Sequence, residues 1–98
     1  MSDLSIPFID TSKVLYTQTA MNFTYTATQD CILAGTQETS GSAASEILLN
    51  NVRVAGNYSA EGDLTTSVFL PLKKGQKVKY TSNKFNSSYP LRIFALLK

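Results

Sequence analysis

The last eight residues of the chain are apolar on both faces if they are extended, and this feature constrains the fold most. In a strand, alternate side chains point to opposite faces. One face would carry Leu91, Ile93, Ala95 and Leu97, and the other Phe94 and Leu96 between Arg92 and Lys98. A half-buried strand needs only one apolar face, so we expect this strand to be central and covered on both sides. We expect the second cover to be another copy of the chain, with Phe94 and Leu96 as candidate oligomer-interface residues.

The length of the chain allows one domain and not two, since it has 98 residues. We expect residues 1–12 to form an N-terminal arm or lead-in strand and residues 13–98 a single β-sandwich domain. A domain of this size buries a thin core, so that self-association would add useful burial.

Short alternating segments separated by turn residues predict an all-β fold. Phe23 and Tyr25 alternate with Thr24 and Thr26, and similar short segments recur along the chain without a convincing helix. We predict about 7–8 strands in an antiparallel, jelly-roll-like sandwich. The pair Asn50-Asn51 predicts a tight hairpin. We expect loops at residues 36–45, 57–65 and 82–90, where polar and turn residues lack apolar periodicity.

The segment from Phe69 to Tyr80, Phe-Leu-Pro-Leu-Lys-Lys-Gly-Gln-Lys-Val-Lys-Tyr, matches a strand–turn–strand pattern of compact trimeric jelly rolls. It resembles C1q/TNF-like domains and, more closely, the head domains of bacteriophage tail fibres and receptor-binding proteins. The resemblance implies a homotrimer with its last strand near the threefold axis. It also implies a place in the virion, in a tail or fibre, and binding of a host cell-surface saccharide.

Charge and residue usage set limits on the chemistry. The chain has no histidine and a single cysteine, Cys31, and its formal net charge is +2. The lack of histidine removes the commonest general base and metal ligand, so we expect no catalytic residue, no metal and no cofactor. Cys31 follows Asp30 and precedes apolar residues, which favours a buried thiol. No signal peptide or membrane-spanning segment is evident, and we expect synthesis in the cytoplasm without membrane insertion.

Polar and aromatic residues in two of the predicted loops are the candidate ligand-binding residues. Amide and carboxylate groups can hydrogen-bond sugar hydroxyls, and an aromatic ring can cover the apolar face of a sugar. The candidates are Asn57, Tyr58, Glu61 and Asp63 in one loop and Asn83, Phe85, Asn86 and Tyr89 in the other.

Two alternative functions stay open. A basic run with interleaved Tyr80 and Phe85 could make a nucleic-acid-binding β-barrel; it comprises Lys73, Lys74, Lys77, Lys79 and Lys84. Solvated lysines that protect a strand edge are the simpler interpretation at this net charge, and we do not expect nucleic acid as a partner. The pair Glu61 and Asp63 could hold calcium or act on a glycoside, but Gly62 between them is typical of a plain turn.

Overall fold

The computed structural model describes residues 9–41 and 43–97, and these residues fold into eight β-strands without a helix. The bounds are β1 Ile9–Thr17, β2 Phe23–Thr26, β3 Cys31–Thr39, β4 Ala43–Leu49, β5 Val52–Ser59, β6 Leu64–Leu72, β7 Lys77–Thr81 and β8 Arg92–Leu96. The predicted all-β class and strand number are therefore confirmed. In this part of the chain no helix is long and apolar enough to cross a membrane. Residues 1–8 of the predicted arm lie outside the described residues.

The strands form two four-stranded antiparallel sheets. The first sheet has the order β1-β8-β3-β6, and the second has the order β2-β7-β4-β5. The ladders β1–β8, β2–β7, β3–β6 and β4–β5 are those of one long antiparallel ribbon folded over on itself. This rolled ribbon is the jelly-roll arrangement. The last strand, β8, lies between β1 and β3, so the prediction that it is central is confirmed.

Connections alternate between the two ends of the sandwich. Short turns join β2 to β3, β4 to β5 and β6 to β7 at what we call the turn end, where the Gly75 amide donates a 2.8 Å hydrogen bond to the Ala27 carbonyl. At the β4–β5 turn, Asn50 and Asn51 have φ of 50° and 69°, which confirms the predicted hairpin. The other connections meet at the opposite end, the loop end, where the Gly41 amide donates to the Gly62 carbonyl at 3.0 Å.

Inward-facing apolar side chains of both sheets form the core. The alternation predicted for β7 is observed, because Val78 and Tyr80 are buried while Lys77 and Lys79 are exposed. Three aromatic contacts, with ring centroids 5.2 to 5.7 Å apart, join β1, β2 and β7 through Tyr16 and Phe23. Other fully buried core residues are Leu33, Ile47, Leu91 and Ile93.

The loop predictions for residues 36–45 and 57–65 are wrong for most of their residues. Residues 36–39 belong to β3 and residues 43–45 to β4, and only the connection between these strands lies at the loop end. Likewise residues 57–59 belong to β5 and residues 64–65 to β6. The reason is that the interior is polar at this end, so strand alternation there involves no apolar residues. The third predicted loop, residues 82–90, lies outside the strands as expected.

Candidate functional site

An ionic cluster holds together the loop end, where most of the predicted ligand-binding residues lie. The Lys84 ammonium group donates a 2.7 Å hydrogen bond to the Asp63 carboxylate and lies 3.7 Å from a carboxylate oxygen of Glu38. The hydrogen bond from Lys84, followed by one from Ser40, lowers the pKa of Asp63 below its usual value. The same hydrogen bond to Asp63 raises the pKa of Lys84. The cluster therefore joins the β5–β6 and β7–β8 loops to β3.

Hydrogen bonds of the Asn83 carboxamide make a second connection between loops at the loop end. Its oxygen accepts a 3.0 Å hydrogen bond from the Ser40 amide, and its nitrogen donates at 2.6 Å to the Ser40 carbonyl. In the same region the Asn22 side-chain oxygen accepts a hydrogen bond from the Ser82 amide. The Asn83 side chain thus bonds both backbone polar groups of residue 40, as the backbone of a neighbouring strand would. Its polar atoms are used in joining loops.

The β7–β8 loop presents an exposed aromatic ring. Asn86 organises this loop, since its side-chain oxygen accepts from the Ser88 amide and its carbonyl from the Tyr89 amide. This local turn leaves the Tyr89 side chain 65% exposed, while Phe85 and Asn86 are half-buried. A hydrogen-bonded turn that displays an aromatic ring is suited to contact with a partner.

The other predicted ligand-binding residues lie in different settings. Tyr58 is 62% exposed and belongs to β5, an edge strand of the second sheet. Glu61 is exposed in the β5–β6 loop. Asn57 is buried, and its amide nitrogen donates at 3.0 Å to the Thr66 hydroxyl inside the sandwich. The structure therefore does not bring the eight residues together at one surface.

The acidic pair has little of the character needed for metal binding or glycoside chemistry. Asp63 is neutralised by Lys84 and its lowered pKa keeps it ionised, which is unsuited to a general acid. Among residues 9–41 and 43–97, no group of three or more His, Cys, Asp or Glu side chains could hold a metal ion. Cys31 is buried, and burial followed by the nearby charge of Asp30 raises its thiol pKa, which disfavours the thiolate.

The outer face of the first sheet carries an apolar row that crosses all four strands. Val14 of β1 lies opposite Phe94 of β8, Phe94 opposite Ile32 of β3, and Ile32 opposite Pro71 of β6. We call these four residues the apolar row. Val14 is 45% exposed, Pro71 is exposed and Phe94 is half-buried, whereas Ile32 is fully buried.

Further apolar side chains extend the row on both sides. Phe69 of β6, opposite Ala34, is 58% exposed, and Leu96 of β8, opposite Ile9, is half-buried. The prediction named Phe94 and Leu96 but missed Val14 and Phe69. The signal for Phe69 was present, because β6, like β8, has apolar residues on both faces. Grouped exposed apolar residues are typical of interaction surfaces.

Two grooves border this face at the turn end. The larger has a volume of about 480 Å³ and is lined by Gln29, Asp30, Lys74, Leu96 and Leu97. The smaller, of about 360 Å³, shares Asp30 and Leu96 and is also lined by Pro71 of the apolar row. The outer face of the first sheet is therefore uneven at the turn end.

The second sheet is polar on the outer face of β2 and β7, whereas its edge strand β5 carries the exposed side chains of Val52, Val54 and Tyr58. Lys77 and Lys79 of β7 lie opposite Thr26 and Thr24 of β2, and all four are exposed. On β4 and β5, Arg53 lies 3.7 Å from Glu46. Lys84 of the predicted basic run does not lie on this face, because it belongs to the ionic cluster at the loop end. Tyr80 points into the core and cannot stack on a base at this surface.

The chain matches no protein-family profile, no curated protein and no solved structure.

Proposed function

We propose that the chain is a non-catalytic structural or receptor-binding module of a bacteriophage. In this proposal three copies assemble through the outer faces of their first sheets, and exposed loops bind a saccharide of the host surface. The observation that carries the proposal is the contrast between the two outer faces of the sandwich. One presents the apolar row with Phe69 and Leu96 across all four of its strands. The other presents lysines and threonines on β2 and β7, and its exposed apolar side chains are confined to the edge strand β5.

The position of β8 supports assembly through the first sheet. β8 is one of the two inner strands of that sheet, so Phe94 is flanked on both sides by Val14 and Ile32. An apolar surface with this continuity loses its contact with water when a second copy covers it, which is the main driving force for association. The threefold arrangement rests on the resemblance to trimeric jelly-roll head domains, since an apolar face does not by itself fix a symmetry.

The saccharide-binding part of the proposal rests on the exposed residues at the loop end. Tyr89 presents its ring on a turn that Asn86 holds in place. Rings of this kind cover the apolar face of a sugar while nearby amides and hydroxyls bond its hydroxyl groups. Asn57, Asp63 and Asn83 are used in hydrogen bonds within the fold. Of the other candidates, Phe85, Asn86 and Tyr89 share the β7–β8 loop, and we take these three as the contact group.

The experiment is an array of bacterial lipopolysaccharides and capsular polysaccharides probed with the assembled protein. We expect binding to a limited set of glycans, and loss of at least tenfold in affinity for Tyr89→Ala. Lys79→Ala on the outer face of the second sheet is the matched control, and it should bind as the unchanged protein does. Absence of binding by the assembled protein to any surface glycan would contradict the saccharide part and leave assembly to be tested separately.

A further inference from the structure

The interior of the sandwich changes from apolar to polar beyond Gly35. Toward the turn end, β3 directs Cys31 and Leu33 into the apolar core. Toward the loop end it directs Gln37 and Thr39 inward, and both are fully buried. β8 pairs with β3 only as far as Ala34, so this polar section is enclosed by β3, β4, β5 and β6.

A hydrogen-bond network links these four strands across the interior. The Gln37 amide nitrogen donates to the Ser45 hydroxyl at 3.2 Å, and the Ser45 hydroxyl donates to the Asn57 side-chain oxygen. The Asn57 amide nitrogen donates to the Thr66 hydroxyl at 3.0 Å and contacts the Gln37 carbonyl at 3.4 Å. Each strand contributes one side chain, and the two sheets are joined by polar contacts.

Two buried oxygens in this section have no hydrogen-bond partner. They are Oε1 of Gln37 and Oγ1 of Thr39. Residues two apart in a strand point to the same face, so both atoms face the same polar section. Buried polar atoms are nearly always hydrogen-bonded, and an ordered internal water is the usual partner where protein groups are lacking.

Reversal of the Gln37 carboxamide does not remove the need for a partner. In the reversed orientation the amide nitrogen takes the free position and becomes an unpaired donor. The carboxamide oxygen would then face Ser45, whose proton already goes to Asn57. At least one polar atom of Gln37 stays without a partner in either orientation, and Thr39 is unaffected.

We infer that an ordered internal water binds between Gln37 and Thr39. The water donates one hydrogen bond to Oε1 of Gln37. A second hydrogen bond joins it to the Thr39 hydroxyl, which can act as donor or acceptor. The water completes the polar section enclosed by β3, β4, β5 and β6. This inference is independent of the proposed function.

The test is magnetic relaxation dispersion of the water oxygen, which counts long-lived internal waters. We expect Thr39→Val, which keeps the shape of the side chain but removes the hydroxyl, to reduce the count by one water relative to the unchanged protein. Thr26→Val on the exposed face of β2 is the matched control and should leave the count unchanged. An equal count in the folded Thr39→Val protein would overturn the inference.

A second measurement serves if Thr39→Val does not fold. In the unchanged protein, we expect magnetisation transfer from a long-lived water to the methyl group of Thr39 and to the side-chain amide of Gln37. No such transfer from water to either group would overturn the inference.

Discussion

Phe94 lies directly opposite Ile32 in the β3–β8 ladder, on the face of the first sheet that points away from the core. Cys31 and Leu33, on either side of Ile32 in sequence, belong to the core cluster, and Ile32 does not. Ile32 is nevertheless fully buried, whereas Phe94 is only half-buried. The outer face therefore has an apolar centre of its own, and Phe94 is the part of this centre that a second copy would cover in the proposed assembly.

Replacement of Phe69 by aspartate should prevent assembly without unfolding the chain. Phe69 is 58% exposed, so the substitution should change the stability of a single chain by less than about 0.5 kcal/mol. In an assembled interface the same carboxylate would be buried without a partner, which is strongly unfavourable. We expect light scattering to report a single-chain mass for Phe69→Asp, with an unchanged circular dichroism spectrum.

Thr24→Asp is the control for the assembly experiment, because Thr24 is exposed on the outer face of the second sheet. This variant should assemble as the unchanged protein does. If Phe69→Asp keeps the assembled mass, the outer face of the first sheet is not the interface. Phe94→Asp should also prevent assembly, but Phe94 is half-buried within one chain, so this variant tests folding as well.

Replacement of Gly35 by alanine should destabilise the fold by about 1–3 kcal/mol. Gly35 has φ of +140°, and an added Cβ would lie 3.1 Å from Cα of Leu91 and 3.2 Å from the carbonyl oxygen of Pro90. Both obstacles are backbone atoms of the segment that leads into β8. Urea denaturation followed by circular dichroism measures the loss.

The Gly75→Ala variant distinguishes the stability lost through steric crowding from the stability lost through positive φ. Gly75 also has positive φ, +92°, but an added Cβ there would meet nothing within 4 Å. We expect Gly75→Ala to cost less stability than Gly35→Ala. Equal losses for the two variants would mean that the close approach of Leu91 and Pro90 to Gly35 has no energetic consequence.

The pairing of Asp63 with Lys84 predicts where pH affects stability. The lowered pKa of Asp63 adds stability above the ordinary carboxyl value of 3.8, and this stability is lost as pH falls through the lower folded value. The raised pKa of Lys84 adds stability below 10.5, and this stability is lost as pH rises through the higher folded value. Between these limits the contribution of the pair should be independent of pH.

Carboxyl carbon NMR titration tests this pairing directly. In Lys84→Met the pKa of Asp63 should rise toward its ordinary value, because the largest cause of its shift is removed. Asp10 is an internal control, since its pKa is lowered mainly by hydrogen bonds from Ser12 and it should titrate identically in both proteins. An unmoved Asp63 titration in Lys84→Met would show that the ion pair does not form in solution.

Cys31 should react with thiol reagents only when the sandwich opens. The thiol is buried, and burial and the charge of Asp30 raise its pKa, so the reactive thiolate is rare and inaccessible. At neutral pH we expect labelling by a disulfide reagent to be at least a hundredfold slower than for the unfolded chain in urea. Labelling of the native protein at the rate of the unfolded chain would contradict burial of this strand.

The apolar part of the fold was predictable from sequence because its periodicity is visible in residue type. Val78 and Tyr80 alternate with lysines, and the double apolar character of residues 91–97 indicated a central strand. The pair Asn50-Asn51 indicated the hairpin through its tolerance of positive φ. In each case the physical cause acts within a few neighbouring residues.

The polar part of the fold could not be predicted in the same way. Gln37, Thr39 and Asn57 are polar residues at interior positions, so residues 36–45 and 57–65 carry no apolar alternation and were predicted as loops. The pairing of Asp63 with Lys84 depends on which loops share an end of the sandwich. That neighbourhood is set by the topology and not by local sequence.

Light scattering after size exclusion gives the mass of the unchanged protein and therefore the number of chains that assemble. We expect three times the 10.7 kDa mass of one chain. A mass of two chains would contradict the threefold arrangement and keep the outer face of the first sheet as an interface. A mass of one chain at all concentrations up to the millimolar range would contradict self-association through the apolar row.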